Sequence, residues 1–184
     1  MELWDLYDAN RQPLHRTWPR GTELPKGTYH IVVGIWTWNS AGEILLTLRH
    51  PEKEIWPDTW ENTGGSILTG ETSAAGAVRE LLEETGIAAE PSDLLLLGTT
   101  LEESAFIDTY FLQRDVAIDE LTMQEGETTA ARWVTLAELY TMAADGTLAA
   151  PVAERLYLLQ EKFEEQLFAV TNRCSDQSNS KQTG

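Results

Sequence analysis

The chain of 184 residues carries a single cysteine, Cys174. No disulfide can close within one copy, and no cysteine-based metal centre can be assembled, so the sequence suits a reducing compartment. Basic residues are scarce as well. The 13 Lys and Arg face 30 Asp and Glu, for a formal net charge of −17. Such a surface repels nucleic acid polymers and anionic membranes, and neither is expected as a partner. It also repels a small anionic substrate unless a cation masks the site. No apolar run approaches the roughly 18 residues of a membrane span. The opening MELWDLYDANRQP has no basic region leading into an apolar stretch, so it does not read as a signal peptide. The expected location is cytoplasmic.

What is present points to a globular protein. Hydrophobic residues make up 42% of the chain and there are seven Trp, which excludes wholesale disorder. The length fits one domain, expected over 1–170. Residues 2–7 and 12–17 flank the turn-rich DANRQ, which predicts a hairpin within a 1–28 segment. TYHIVVGIWTW (28–38) and EILLTLR (43–49) read as paired strands. HPEKEIWPDTWENTGG (50–65) is expected to be mostly irregular. Thr72 or Ser73 can cap a helix that Gly86 ends. Strands are expected over 93–103, 105–116 and 132–136, and a helix over 136–146. Leu156, Leu159, Phe163 and Leu167 are spaced for one amphipathic helix over 152–170. The remainder, 171–184, reads as a polar, disordered tail. Hairpins mixed with helices predict an α/β fold with a mixed β-sheet and helices on both faces.

The segment GGSILTGETSAAGAVRELLEETGI (64–87) poses a problem of charge. Like charges at i and i+4 on a helix repel by a few tenths of a kcal/mol, yet Glu80, Glu83 and Glu84 crowd one short stretch. On a helical wheel they share an arc of roughly 100° beside an apolar face of Ala74, Ala77, Val78, Leu81 and Thr85. Arg79 lies away from that arc. No Lys or Arg follows at i+4 to relieve the acids. Gly64, Gly65 and Glu71 precede them. Glycines allow a backbone to approach a ligand closely. Oxygen donors without His or Cys suit Mg²⁺ or Mn²⁺. A solvated acidic face is the plainer reading of REL-LEE alone.

From Gly65 the chain reads G, five residues, Glu71, seven residues, Arg79-Glu80-Leu81, one residue, Glu83-Glu84, one residue, Gly86-Ile87. This matches the Nudix box at every fixed position over residues 65–87, and the protein resembles the Nudix hydrolase family. The resemblance implies a Nudix-type α/β/α sandwich, preceded here by the N-terminal hairpin. It implies metal-dependent hydrolysis of a nucleoside diphosphate linked to another moiety. By motif position, Glu80, Glu83, Glu84 and the Gly64 carbonyl are implied metal ligands, and Arg79 is implied to pair with Glu71. The general base varies within the family. Glu80 is one candidate, and the later loop QEGETTAARW supplies Glu125 and Glu127, of which Glu127 is preferred as base or added ligand. Glu102 and Glu103 are weaker candidates.

Substrate contacts are less constrained. Arg49 is positioned to hold a phosphate and His30 to point into a cleft, though a surface arginine and a strand histidine are the plainer readings. Trp36, Trp38, Trp56 and Trp60 include candidates for base stacking; most are expected in the core. The opening ELWDLYDANRQPLHR also resembles isopentenyl-diphosphate isomerases of the same fold. Those isomerases use a cysteine just before the box, where this chain has ENTGG. A non-catalytic ligand-binding Nudix domain is the other alternative, against which the intact box argues. The expected partner is a small-molecule diphosphate. A homodimer through the 1–28 segment or the last helix is left open.

Overall fold

The computed structural model of the protein describes residues 2–169. The expected tail at 171–184 lies outside the described residues, as does the last residue of the helix expected over 152–170. The elements in chain order are β1 (Leu3–Tyr7), β2 (Pro13–Pro19), β3 (His30–Trp38), β4 (Ile44–Arg49), β5 (Trp60–Glu61), β6 (Thr63–Ser66), α1 (Ser73–Thr85), β7 (Leu95–Glu102), β8 (Ala105–Gln113), β9 (Thr128–Val134), α2 (Leu136–Asp145) and α3 (Ala150–Leu158). A further helical stretch, α4, covers 160–169. The class is α/β, with a two-stranded antiparallel N-terminal hairpin and a seven-stranded mixed sheet. The described residues form two compact units, 2–35 with 63–111 and 36–62 with 112–169.

In the first unit, β1 and β2 pair antiparallel, with Trp4 opposite Trp18 and Tyr7 opposite Pro13. Their turn is closed by Asp8, whose carboxylate accepts from the Asn10 and Gln12 amides at 2.8 Å each. The first half of β3 pairs with β6, placing Val33 opposite Gly65 and Gly34 opposite Gly64. Helix α1 starts at Thr72, whose hydroxyl accepts from the Ala75 amide at 3.2 Å. It stops at Gly86, where φ is +74°. That left-handed turn costs glycine little and other residues more. Leu81 and Ala77 are fully buried beneath the helix. β7 and β8 form the second hairpin, with a register shift between Leu96 and Gly98.

In the second unit, β4 pairs with β9 from Ile44–Val134 to Arg49–Thr128 and, at Thr47 and Leu48, with β5. Thr135 and Glu138 close a reciprocal cap at the start of α2, and Gly146 ends it at φ +82°. Trp36 and Trp38 are core residues, and Trp36 meets Phe163 edge-on at 5.3 Å. Leu156, Phe163 and Leu167 are buried as their spacing predicts.

Residues 50–65 are mostly irregular as expected, although β5 and β6 occupy 60–61 and 63–66 at their end. Their glycines gave no strand signal, and backbone pairing to distant strands makes them extended. β9 begins at Thr128 rather than near 132. The final helix is interrupted at Leu159, where the backbone departs from helical geometry.

Candidate functional site

Helix α1 lies against the paired glycines of β6, and that contact builds the site. Gly65 has no side chain where the Glu80 carboxyl sits; a Cβ there would overlap it. Gly64 is similarly constrained on its other side, since a Cβ would run into the Val33 carbonyl. Only glycine permits this approach of strand to helix. Glu80 and Glu84 are buried at 7% and 9% exposure, whereas the Glu83 side chain is 47% exposed. The Gly64 amide points at Glu84 Oε2 across 3.4 Å.

Arg79 does not lie apart from these acids as the wheel suggested. Its Nε and Nη2 donate to the two Glu71 oxygens at 2.8 and 2.9 Å. Nη1 donates to Glu80 at 2.9 Å and to Glu83 at 3.1 Å, and Nη2 also reaches the Ser66 carbonyl at 3.0 Å. A wheel records where Cβ points; the long arginine stem carries the charge elsewhere. Glu71 also accepts from the Leu68 amide at 2.9 Å, so the loop, the strand end and the helix meet on one guanidinium.

The electrostatics follow from burial and partners. Burial raises the pKa of Glu80, against the opposing pull of Arg79. Glu71 is held below the ordinary carboxylate range, chiefly by its hydrogen bonds from Arg79. Those bonds push the Arg79 pKa further up. One guanidinium thus serves Glu71, Glu80 and Glu83 together, and negative charge stays in excess. Among the described residues, no three His, Cys, Asp or Glu side chains stand gathered as a ready metal cage. The donors nonetheless fit a hard divalent cation in kind: they are all oxygen, anionic and partly desolvated.

The other expected residues have defined places. Arg49 is engaged, with Nη1 donating to both Glu61 oxygens at 2.9 Å and the rest of the guanidinium on the Ile55 and Trp56 carbonyls. Glu127 is ion-paired with Lys53, and its carbonyl accepts from the His50 amide at 2.8 Å. Glu125 is exposed. His30 is buried and stacked on Trp4, centroids 4.0 Å apart. Burial, then the field of Arg20, lowers its pKa to about 4, so its imidazole is neutral at neutral pH. Glu102 is half-buried and Glu103 exposed. Trp60 lies under the Arg132 guanidinium at 4.5 Å, and Trp56 is exposed at φ +53°.

Sequence reasoning passed over a second charged cluster. Asp108, 1% exposed, is paired with Arg11 and accepts from Ser73 and Thr99 at 2.5 and 2.6 Å. Tyr110 donates to Ser73 at 3.0 Å. An aspartate within the apolar strand AFIDTYFLQ was the available signal, because a buried charge requires a partner.

The NUDIX domain family matches residues 28–156. An uncharacterized Nudix hydrolase of Listeria monocytogenes is 37% identical over 147 residues, spanning 79% of this chain and 87% of the relative. An isopentenyl-diphosphate isomerase of Paenarthrobacter aurescens is 30% identical over 96 residues, 52% of each chain. A crystal structure from Deinococcus radiodurans superposes with a TM-score of 0.68 at 23% identity, covering 85% of this chain and 99% of the other. No helix of the described residues is long and apolar enough to cross a membrane.

Proposed function

The chain belongs to the Nudix family, and on that premise we propose that it hydrolyses a pyrophosphate bond in a nucleoside diphosphate linked to another moiety, with Mg²⁺ or Mn²⁺ as cofactor. The observation that carries this reading is the excess of carboxylate at the glycine–helix contact. Glu80 and Glu84 are buried beside Gly65 and Gly64, and Arg79 is shared among Glu71, Glu80 and Glu83. A buried, under-neutralised acidic cluster is costly to keep unless a ligand uses it.

Glu80, Glu83, Glu84 and the Gly64 carbonyl would hold the metal. A divalent ion bound there would mask the local charge toward a diphosphate, polarise the attacked phosphorus and acidify a water. The protein's own contribution is positional. Arg79 ties the loop at Glu71 and Ser66 to helix α1. The apolar side of α1, through Leu81 and Ala77, fixes the azimuth of the carboxylates. Glu80, made more basic by burial, is suited to accept a proton. Isomerase chemistry is disfavoured, since Thr63 and Gly64 offer no thiol before the box and the single cysteine is Cys174.

The test is a panel of nucleoside diphosphate derivatives incubated with purified protein and millimolar Mg²⁺, with product identification. Release of two phosphate-bearing products is expected. Thermal protection by panel members without turnover would instead indicate a binding domain and overturn hydrolysis.

A further inference from the structure

The first unit contains a cavity of about 430 Å³, apart from the carboxylate cluster just described. The loop 22–28 forms most of its wall, completed by Trp4, His30, Glu103 and Ser104. The loop is fixed: Thr28 bonds the Pro25 carbonyl through amide and hydroxyl, the Trp18 indole donates to the Glu23 carbonyl at 3.1 Å, and Gly27 turns at φ +77°. The His30 amide donates to the Ser104 carbonyl at 3.1 Å, which joins the two sides.

Polar groups in this wall lack partners. The Trp4 indole nitrogen and His30 Nδ1 are buried without a hydrogen bond among the described residues. A buried polar atom left unpaired costs about 1–3 kcal/mol, a cost that the stacked Trp4–His30 pair bears whether or not the cavity is filled. The side chains of Glu23, Lys26 and Glu103 make no hydrogen bond or ion pair among the described residues either. The two ring nitrogens have no accessible surface and stay out of a ligand's reach; the wall offers the Lys26 ammonium as donor together with two carboxylates as acceptors. Thr22, Thr28 and Ser104 bring hydroxyl oxygens.

The chemistry of a fitting ligand follows. An anion would meet two carboxylates for one ammonium, on a chain of net charge −17. A cation would meet Lys26. A hydroxyl is both donor and acceptor and suits mixed walls of this kind. The volume falls within the range of small-molecule sites, about 300–1,000 Å³.

We propose that the Trp4–His30 cavity is a second ligand site that takes a neutral, hydroxyl-rich ring of the ribose or hexose class. Binding there needs no turnover at the carboxylate cluster, so its failure and that of the hydrolysis reading are separately visible. The probes are D-ribose and D-glucose, with inorganic phosphate as the anionic control, followed by the indole N–H resonances of the protein. Trp4→Phe, which keeps a stacking ring and removes the N–H, assigns the Trp4 signal. The sugars should move that signal saturably in the millimolar range, and phosphate should not. The double variant Glu23→Gln, Glu103→Gln, at exposed positions, should weaken sugar binding several-fold while its melting temperature stays unchanged. A Trp4 resonance unmoved by tens of millimolar sugar would overturn the proposal. So would a response to phosphate as large as that to sugar, or sugar binding indifferent to the double variant.

Discussion

Two arginine clusters in the first unit invite comparison. Arg11 meets one carboxylate, Asp108, and every neighbour of that carboxylate is a donor: Ser73, Thr99 and the guanidinium itself. Arg79 meets Glu71, Glu80 and Glu83 at once. The first cluster is balanced and complete, and nothing further needs to bind. The second is short of positive charge, with three carboxylates on one guanidinium. Balance marks a structural joint, here between the hairpin turn, the strand β8 and the first residue of α1. Imbalance that the fold maintains marks a place for something from outside. Charge count around an arginine thus discriminates better than arginine itself.

The largest effect expected from this contrast is on stability at the balanced cluster. Arg11→Ala leaves Asp108 buried and without its cation. Breaking a buried pair in this way costs about 3–5 kcal/mol, toward the lower end here because the Arg11 side chain is 33% exposed. Urea unfolding should show the loss. A shift below about 0.5 kcal/mol, the range of ordinary surface substitutions, would dissolve the comparison.

At the unbalanced cluster the loss should fall on catalysis instead. Glu84→Gln and Glu83→Gln should each lower kcat by about a hundredfold or more, since electrostatic terms at such sites are worth several kcal/mol. Stability should change little, because each removes a like charge but weakens a contact, with Arg79 for Glu83 and with the Gly64 amide for Glu84. Near-normal turnover in either variant, measured with saturating Mg²⁺ on a substrate found by the panel, would remove the assignment.

How much of this was legible beforehand depends on range. Local signals transmitted well: the Thr72 cap, the Gly86 stop and the hairpin turn at Asp8 are written in neighbouring residues and are found where expected. Nonlocal ones did not. Arg49 and Glu61 meet because β4 pairs with β5, and nothing in either segment announces the other. Gly64 and Gly65 read as loop residues, yet they lie in a strand whose closeness to α1 their missing side chains permit. The box resemblance paired Arg79 with Glu71, as found, whereas the helical wheel set Arg79 apart from Glu80 and Glu83, because side-chain reach is invisible to a wheel.

A smaller effect concerns the metal itself. If the excess carboxylates of the Arg79 cluster bind a cation only when the fold gathers them, Mg²⁺ at about ten times its Kd should add roughly 1.4 kcal/mol of stability. Calorimetry with and without millimolar Mg²⁺ would register a higher melting temperature for the native protein. The rise should shrink in Glu84→Gln and persist in a variant of the balanced cluster that still folds. No rise at all would count against the site.

The pH dependence separates the clusters most finely. Burial of Asp108 pushes its pKa up, but hydrogen bonds from Arg11, Ser73 and Thr99 outweigh it, and the net shift is downward. A carboxyl depressed in the folded state contributes stability that is present above its unfolded pKa, about 3.9. That contribution is lost as pH falls through the lower folded value. Asp108→Asn removes the titrating group, so the gap in stability between native and variant protein should be full at neutral pH and close on acidification below about 4. Glu80 has the opposite shift, upward by burial. Its charged form is the one the fold disfavours, so Glu80→Gln should not reproduce that acid-side closure. Unfolding free energies for the three proteins across the acid range would check this, and parallel curves for native and Asp108→Asn would mean that the Arg11 joint gains nothing from the charge of Asp108.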